Sequence, residues 1–154
     1  MKQNINNNIK FSNKKAHFLY EIIETFNAGI QLLGTEIKSI RNGKANINDS
    51  YCFFEKGELY IKNMYIAEYE YGTHYNHTPR GDRKLLLTRR ELNRLEKKIK
   101  EKGFTIVPIT MYINDKGLAK VNIGLARGKK LYDKREDIKQ KDAKRELDRM
   151  NKIR

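Results

Sequence analysis

FTIVPITMYINDKGLAKVNIGL, residues 104–125, is the stretch on which the fold turns. Phe104 to Ile113 and Leu118 to Leu125 are rich in β-branched and aromatic residues, and they flank Asn114-Asp115-Lys116-Gly117. Extended runs on either side of such a turn-forming quartet predict a β-hairpin. Pro108 has no N–H to give a neighbouring strand, so it marks an edge position or a bulge. Upstream, Tyr51-Cys52-Phe53-Phe54 and Leu59-Tyr60-Ile61 repeat the pattern around Glu55-Lys56-Gly57-Glu58, a second hairpin. Further upstream Phe18, Tyr20 and Ile22 alternate with their neighbours, and Phe26 and Ile30-Gln31-Leu32 follow. Asn27-Ala28-Gly29 between them predicts a bulge, a sharp bend or a tight hairpin.

Two helices interrupt these strands. Thr88 and Glu91 have capping-box spacing, Leu92, Leu95 and Ile99 then form one apolar stripe, and Gly103 is placed to close the helix as its C′ residue. A shorter helix is expected from a Thr35 cap through Ile37 and Ile40 to Gly43. Short strands with two to three helices around a small core define a mainly β, α+β protein. The expected architecture is a small OB-like β-barrel spanning residues 16–126.

The flanks differ from this centre. Residues 1–15 are polar, with five Asn, and are expected to be a flexible N-terminal segment. Residues 127–154 hold 12 basic and 6 acidic side chains with few sizeable aliphatics. Burial there cannot offset the ordering entropy, so a basic tail, disordered alone and folding against RNA, is expected.

Composition narrows the function. The 154 residues carry 33 Lys and Arg against 19 Asp and Glu, a formal charge of +14, which makes a polyanion the leading partner. Residues 80–102 alone hold ten basic and four acidic side chains, and Lys38, Arg41 and Lys44 form another set. Tyr20, Tyr51, Tyr60, Tyr65, Tyr69, Tyr71 and Tyr75 offer rings for base stacking, although strand spacing makes most of them core or cross-strand residues. No apolar run spans a membrane and no secretory signal opens the chain, so a cytoplasmic location is expected; the chain is also expected to be a monomer.

Catalytic chemistry finds little footing. The single Cys52 and three His leave only His74 and His77 at ligand spacing, so neither metal nor cofactor is expected; those two His read as surface or RNA-contacting groups. No nucleophile elbow or phosphate loop is present. The strongest enzyme reading is a Mg²⁺-dependent nuclease built on Glu24, Glu36 and Lys38, but Glu36 also suits the start of a helix.

Five stretches stand out together: Asn13-Lys14-Lys15-Ala16, Phe26-Asn27-Ala28-Gly29-Ile30, residues 34–43 (GTEIKSIRNG), Arg83-Lys84-Leu85-Leu86-Leu87 and residues 126–135 (ARGKKLYDKR). In them the chain closely resembles the SsrA-binding protein (small protein B) family, partner of transfer-messenger RNA in the rescue of stalled bacterial ribosomes. The stretches occur in the family's order from about residue 13 to the end. The resemblance implies a non-catalytic OB-like barrel that binds the tRNA-like domain of transfer-messenger RNA and stands in for its missing anticodon arm. It places RNA contacts around Asn13, Tyr20, Asn27, Ala28, Gly29, Leu86 and Lys120. With these go the basic candidates Lys14, Lys15, Lys38, Arg41, Arg83 and Lys84. Many members carry Glu where this chain has Asn27, which accepts a hydrogen bond without charge.

The tail is implied to enter the vacant decoding centre and mRNA path of the small subunit as a helix. Gly128, Lys129, Lys130, Asp133, Lys134 and Arg135 would steer it, Tyr132 would stack near the decoding site, and Met150 and Ile153 would pack against the channel. A permanent ribosomal protein or a generic basic RNA binder is the rival reading.

Overall fold

Alternation of apolar and polar residues closes a ring of strands in the computed structural model, which describes residues 9–72 and 76–129. In chain order the elements are β1 (Lys10–Ser12), α1 (Ala16–Leu19), β2 (Tyr20–Ile30), α2 (Gly34–Arg41), β3 (Ala45–Asn46) and β4 (Tyr51–Glu55). They continue with β5 (Glu58–Lys62), β6 (Tyr65–Ile66), β7 (Arg83–Leu86), α3 (Arg89–Ile99), β8 (Phe104–Ile113) and β9 (Ala119–Gly128). The sheet order is β1-β8-β4-β5-β7-β2-β9, and β9 pairs back onto β8. Six strands thus form a closed barrel, with β1 alongside β8, while β3 and β6 make a separate two-stranded ribbon. Every registered pairing is antiparallel, an alternation that only an even ring can complete.

The two hairpins appear as the sequence predicts. Lys56 and Gly57 have φ of 51° and 78°, the left-handed pair that a two-residue turn matched to strand twist requires. The β8–β9 register shifts between Pro108 and Thr110, so Pro108 sits at a bulge. The long β2–β9 and β8–β9 ladders form one wall of the barrel, whereas Cys52↔Ile106 is the one registered pair joining β4 to β8. Inside lie Phe26, Ala28 and Ile30 from β2, Leu59 and Ile61 from β5, and Met111, Val121 and Ile123 from the last hairpin. Leu92 and Leu95 of α3 complete this core. Each of these side chains larger than Ala28 removes enough apolar surface from water to contribute about 1.5–3 kcal/mol.

Several local expectations are corrected. Phe18 belongs to the one-turn helix α1, and the strand starts only at Tyr20. There is no break at Asn27-Ala28-Gly29: these residues pair in unbroken register with Asn122, Val121 and Lys120, and the irregularity in β2 lies between Ile22 and Glu24. The cap of α2 is Leu33, whose backbone N–H donates to Glu36 Oε1 at 2.9 Å, leaving Thr35 inside the helix. For α3 the Thr88–Glu91 box is present, but Lys100 is the C-cap and Gly103 lies in the turn leading to β8. Residues 10–12 belong to the barrel as β1 rather than to a loose terminus, and β9 extends the barrel to Gly128.

Candidate nucleic-acid interface

Because alternate residues of a strand face opposite sides, the buried set fixes what the barrel wall presents outward. With Phe26, Ala28, Met111, Val121 and Leu85 inside, the outer surface carries Asn27 and Gly29 of β2, Lys120 and Asn122 of β9, Thr110 and Tyr112 of β8, and Lys84 and Leu86 of β7. Register makes these neighbours: Gly29 lies opposite both Lys120 and Leu86, Asn27 opposite Asn122, Lys120 opposite Tyr112, and Asn122 opposite Thr110. A Cβ on Gly29 would stand 3.2 Å from Leu86 Cβ and 3.7 Å from Lys120 Nζ. The missing side chain therefore lets Leu86 and the Lys120 ammonium close over β2. Leu86 is 50% exposed, an apolar surface beside a cation that has no carboxylate partner among the described residues.

Hydrogen bonds tie the polar members together. Asn27 Nδ2 donates to the Tyr112 hydroxyl at 2.7 Å and to Asn122 Oδ1 at 2.8 Å, and Asn122 Nδ2 donates to Thr110 Oγ1 at 2.9 Å. Lys84, at the other margin, pairs with Glu58 at 3.7 Å, and Arg89 meets the same carboxylate at 3.0 Å.

A second group gathers at α1. Asn13 is buried; its side-chain amide donates to Pro108 O at 2.9 Å and its backbone N–H to Ile109 O at 2.8 Å, satisfying the carbonyls of the bulge. Lys14 and Lys15 are exposed, and Lys15 approaches Asp49 at 4.0 Å. Asn13, Lys15, Tyr20 and Tyr51 border a surface cavity of about 150 Å³. Tyr20 pairs with Gly128, and Lys129 N–H donates to Leu19 O at 3.0 Å, so the chain leaves the barrel beside this corner. At α2, the Lys38 ammonium lies 5.3 Å from the Tyr69 ring centre, and Arg41 Nη2 donates to Gly117 O at 3.2 Å.

Other candidates are committed to the architecture. Arg83 is 3% exposed. Its Nε donates to Glu36 Oε2 in a buried ion pair, while the rest of the guanidinium donates to the carbonyls of Met64, Thr78 and Pro79. It is thus a clamp tying β7 to α2 and to the carbonyls at residues 64, 78 and 79, buried where RNA does not reach it. Ala28 is wholly buried and offers a ligand no side chain. His77 is buried as well, not a surface group: Nε2–H donates to Ile66 O at 3.0 Å, which leaves Nδ1 to accept from Thr35 Oγ1 at 2.9 Å. The carboxylates of the nuclease reading are each engaged by a different arginine, Glu36 by Arg83 and Glu24 by Arg94 at 3.0 Å. No cluster of three or more metal-ligating side chains occurs among the described residues. Tyr60 stacks on Phe53 across the β4–β5 hairpin, whereas Tyr71 is 76% exposed.

Thr110, Tyr112 and Asn122 are the part of this surface that sequence reading missed. Their signal was present: they are the polar positions on the outward phase of the last hairpin, but only the β2–β9 register places Asn122 against Asn27. His74, Tyr75, Lys130, Tyr132, Asp133, Lys134, Arg135, Met150 and Ile153 lie outside the described residues.

Comparison with known proteins converges on one group. Residues 10–153 match the family model described as SmpB protein. An SsrA-binding protein of Parabacteroides distasonis is 60% identical, with 97% of each chain covered. One from Phocaeicola vulgatus is 59% identical over 94% of this chain and 96% of its own. One from Listeria welshimeri is 56% identical over 92% of both. A solved chain described as "tmRNA-SmpB: a journey to the center of the bacterial ribosome" superimposes with a TM-score of 0.66 at 52% identity, covering 80% of this chain and 86% of that one.

Proposed function

The chain belongs to the SmpB family, and from that premise we propose that its β7–β2–β9–β8 surface is where transfer-messenger RNA is held. The protein is an RNA-binding adaptor of trans-translation, with transfer-messenger RNA and the ribosome as partners. It works where ribosomes are, in the bacterial cytoplasm, and its own part in the process is recognition without catalysis.

The observation that carries the assignment of the surface is Lys120. Its ammonium, which has no carboxylate partner among the described residues, rests over Gly29 beside half-exposed Leu86, so a phosphate and an apolar ribose or base face can be met together. Asn27 contributes neutral hydrogen bonding in the same patch. Lys84 borders it; Lys14, Lys15 and Tyr20 at α1, and Lys38 and Arg41 at α2, extend the cationic margin. Asn13 supports the α1 corner from beneath through the Pro108 bulge.

The deciding experiment is binding to the isolated tRNA-like domain of transfer-messenger RNA, compared with ordinary tRNA and a plain RNA duplex across a salt series. Preference for the tRNA-like domain that survives near-physiological salt is the expected result. Equal, steeply salt-dependent binding to all three would reduce the protein to a generic basic RNA binder and bring the ribosomal-protein reading forward.

The basic segment that follows β9 is proposed to act separately, folding in the vacant decoding centre and mRNA path with Gly128, Lys129, Lys130, Asp133, Lys134 and Arg135 at its entry. Tyr132 is proposed to stack there, with Met150 and Ile153 packing further along. Since β9 runs to Gly128 and Lys129 donates to Leu19, a stop after Lys129 keeps the barrel whole. Such a truncation is expected to bind RNA nearly as well as the full chain yet to fail in tagging stalled chains. Lost RNA affinity would show that the two parts are not independent.

A further inference from the structure

The hydrogen-bonded row Thr110–Asn122–Asn27–Tyr112 crosses β8, β9 and β2 on the outer surface. It contains two amides and two hydroxyls and no charge. Both hydrogens of Asn27 Nδ2 are used, one toward Tyr112 and one toward Asn122, so Asn27 Oδ1 remains free to accept. The Tyr112 oxygen already accepts from Asn27, so its own hydrogen is free to donate. Turning over both amides together reverses every bond in the row and exchanges these two roles. In either sense the Asn27–Tyr112 end presents one donor and one acceptor side by side. Lys120 and Asn122 are two residues apart on the same face of β9, about 7 Å at the usual strand rise.

We infer that this end of the row reads a ribose 2′-hydroxyl of the bound RNA, with Tyr112 in contact and Asn122 and Thr110 as positioning residues. A 2′-hydroxyl both donates and accepts, the complement of the pair offered here, and it is the group by which a protein tells RNA from DNA. A phosphate on Lys120 leaves the sugar of the same nucleotide within reach of Asn27 and Tyr112. A phosphate, by contrast, only accepts and would leave one member of the pair unmatched. Asn27 is therefore not a weakened carboxylate. A carboxylate at this position cannot donate to Tyr112; it would draw the hydroxyl hydrogen inward and present acceptors only. The inference rests on the RNA surface proposed above.

The test uses the full-length protein and the tRNA-like domain of transfer-messenger RNA carrying single 2′-deoxy substitutions in turn. The wild-type protein is expected to lose about five- to tenfold in affinity at one position, the worth of one hydrogen bond. Tyr112→Phe should bind the unmodified RNA with part of that loss and show a smaller further loss at that position, because only the Asn27 half of the contact remains. Asn27→Asp should behave like Tyr112→Phe in this coupling, and Asn122→Ala should reduce it. Thermal unfolding of each variant establishes that the barrel is intact, which is expected because Asn27 is exposed and water can replace the lost partner.

Equal responses of wild type and Tyr112→Phe at every 2′-deoxy position would overturn the inference. So would coupling of Tyr112 to a base substitution instead of a sugar one. Lys120→Ala separates this from the broader reading: if it leaves affinity and salt slope unchanged, the RNA surface itself is wrong. If Lys120→Ala weakens binding while Tyr112 couples to no sugar, only the 2′-hydroxyl contact fails.

Discussion

Arg83 and Lys84 are consecutive cations with opposite uses. Arg83 points into the molecule and ties Glu36 to three carbonyls, whereas Lys84 points out, 36% exposed, against the edge carboxylate of Glu58. The inner side of the barrel uses charge to join α2 and the carbonyls of Met64, Thr78 and Pro79 to the wall. Its outer side keeps charge loose, with Lys120 over Gly29 and without a carboxylate partner among the described residues. Net charge alone cannot tell these uses apart; strand phase can, because neighbours in a strand face opposite ways.

The contrast breaks most visibly at Arg83. Arg83→Leu leaves the Glu36 carboxylate buried without its partner, and a loss of about 3–5 kcal/mol in chemical denaturation is expected. An RNA-affinity loss in a variant of undiminished stability would return Arg83 to the interface. Lys120→Ala should do the reverse. Stability should stay within about 0.5 kcal/mol, while RNA affinity falls and its log–log salt slope decreases by about one. Cys52 gives a third, pH-dependent contrast. Burial holds its thiol neutral, well above the ordinary value of 9.0, whereas the unfolded thiol ionises normally. Stability from this group is thus complete below pH 9 and declines above it, by up to about 1.4 kcal/mol per pH unit, as unfolding releases a proton. Unfolding of wild type and Cys52→Val compared between pH 8 and pH 10 should show this difference. The smallest effect is expected on the surface: Glu24→Gln removes the 3.0 Å pair with Arg94, and about 0.2–1 kcal/mol in denaturation is the expected cost.

How far the sequence could be read follows the range of the forces involved. Hairpins and the α3 cap are local, set by turn residues and side chains three positions apart, and residues 51–61, 88–91 and 104–125 announced them. Gly29 was misread because glycine marks both bends and close approaches. Here the reason is lateral, the pressing of Leu86 and Lys120 across β2, and nothing adjacent to Gly29 encodes those partners. Phe18 was assigned to a strand because a one-turn helix is too short to display helical periodicity. Arg83 and Lys84 look alike in sequence, and Glu36, the group that separates them, lies 47 residues from Arg83. His77 was placed at the surface for the same reason, its partners Thr35 and Ile66 being remote. The resemblance names Asn27, Gly29, Leu86 and Lys120, which the register makes neighbours, whereas Tyr112 and Asn122 needed the register to be found.

The barrel's closure at Cys52↔Ile106, a single registered pair, gives it the character of a bracelet with a small clasp. The ladders on β2, β8 and β9 are the links that hold shape, and the clasp, like the short β2–β7 seam, is a narrow join in the ring. Cys52 lies on that line, so its reaction with a thiol reagent becomes a clock for unclasping. Labelling faster than global unfolding allows would mark a barrel that opens along one line while the wall holding Lys120 stays closed.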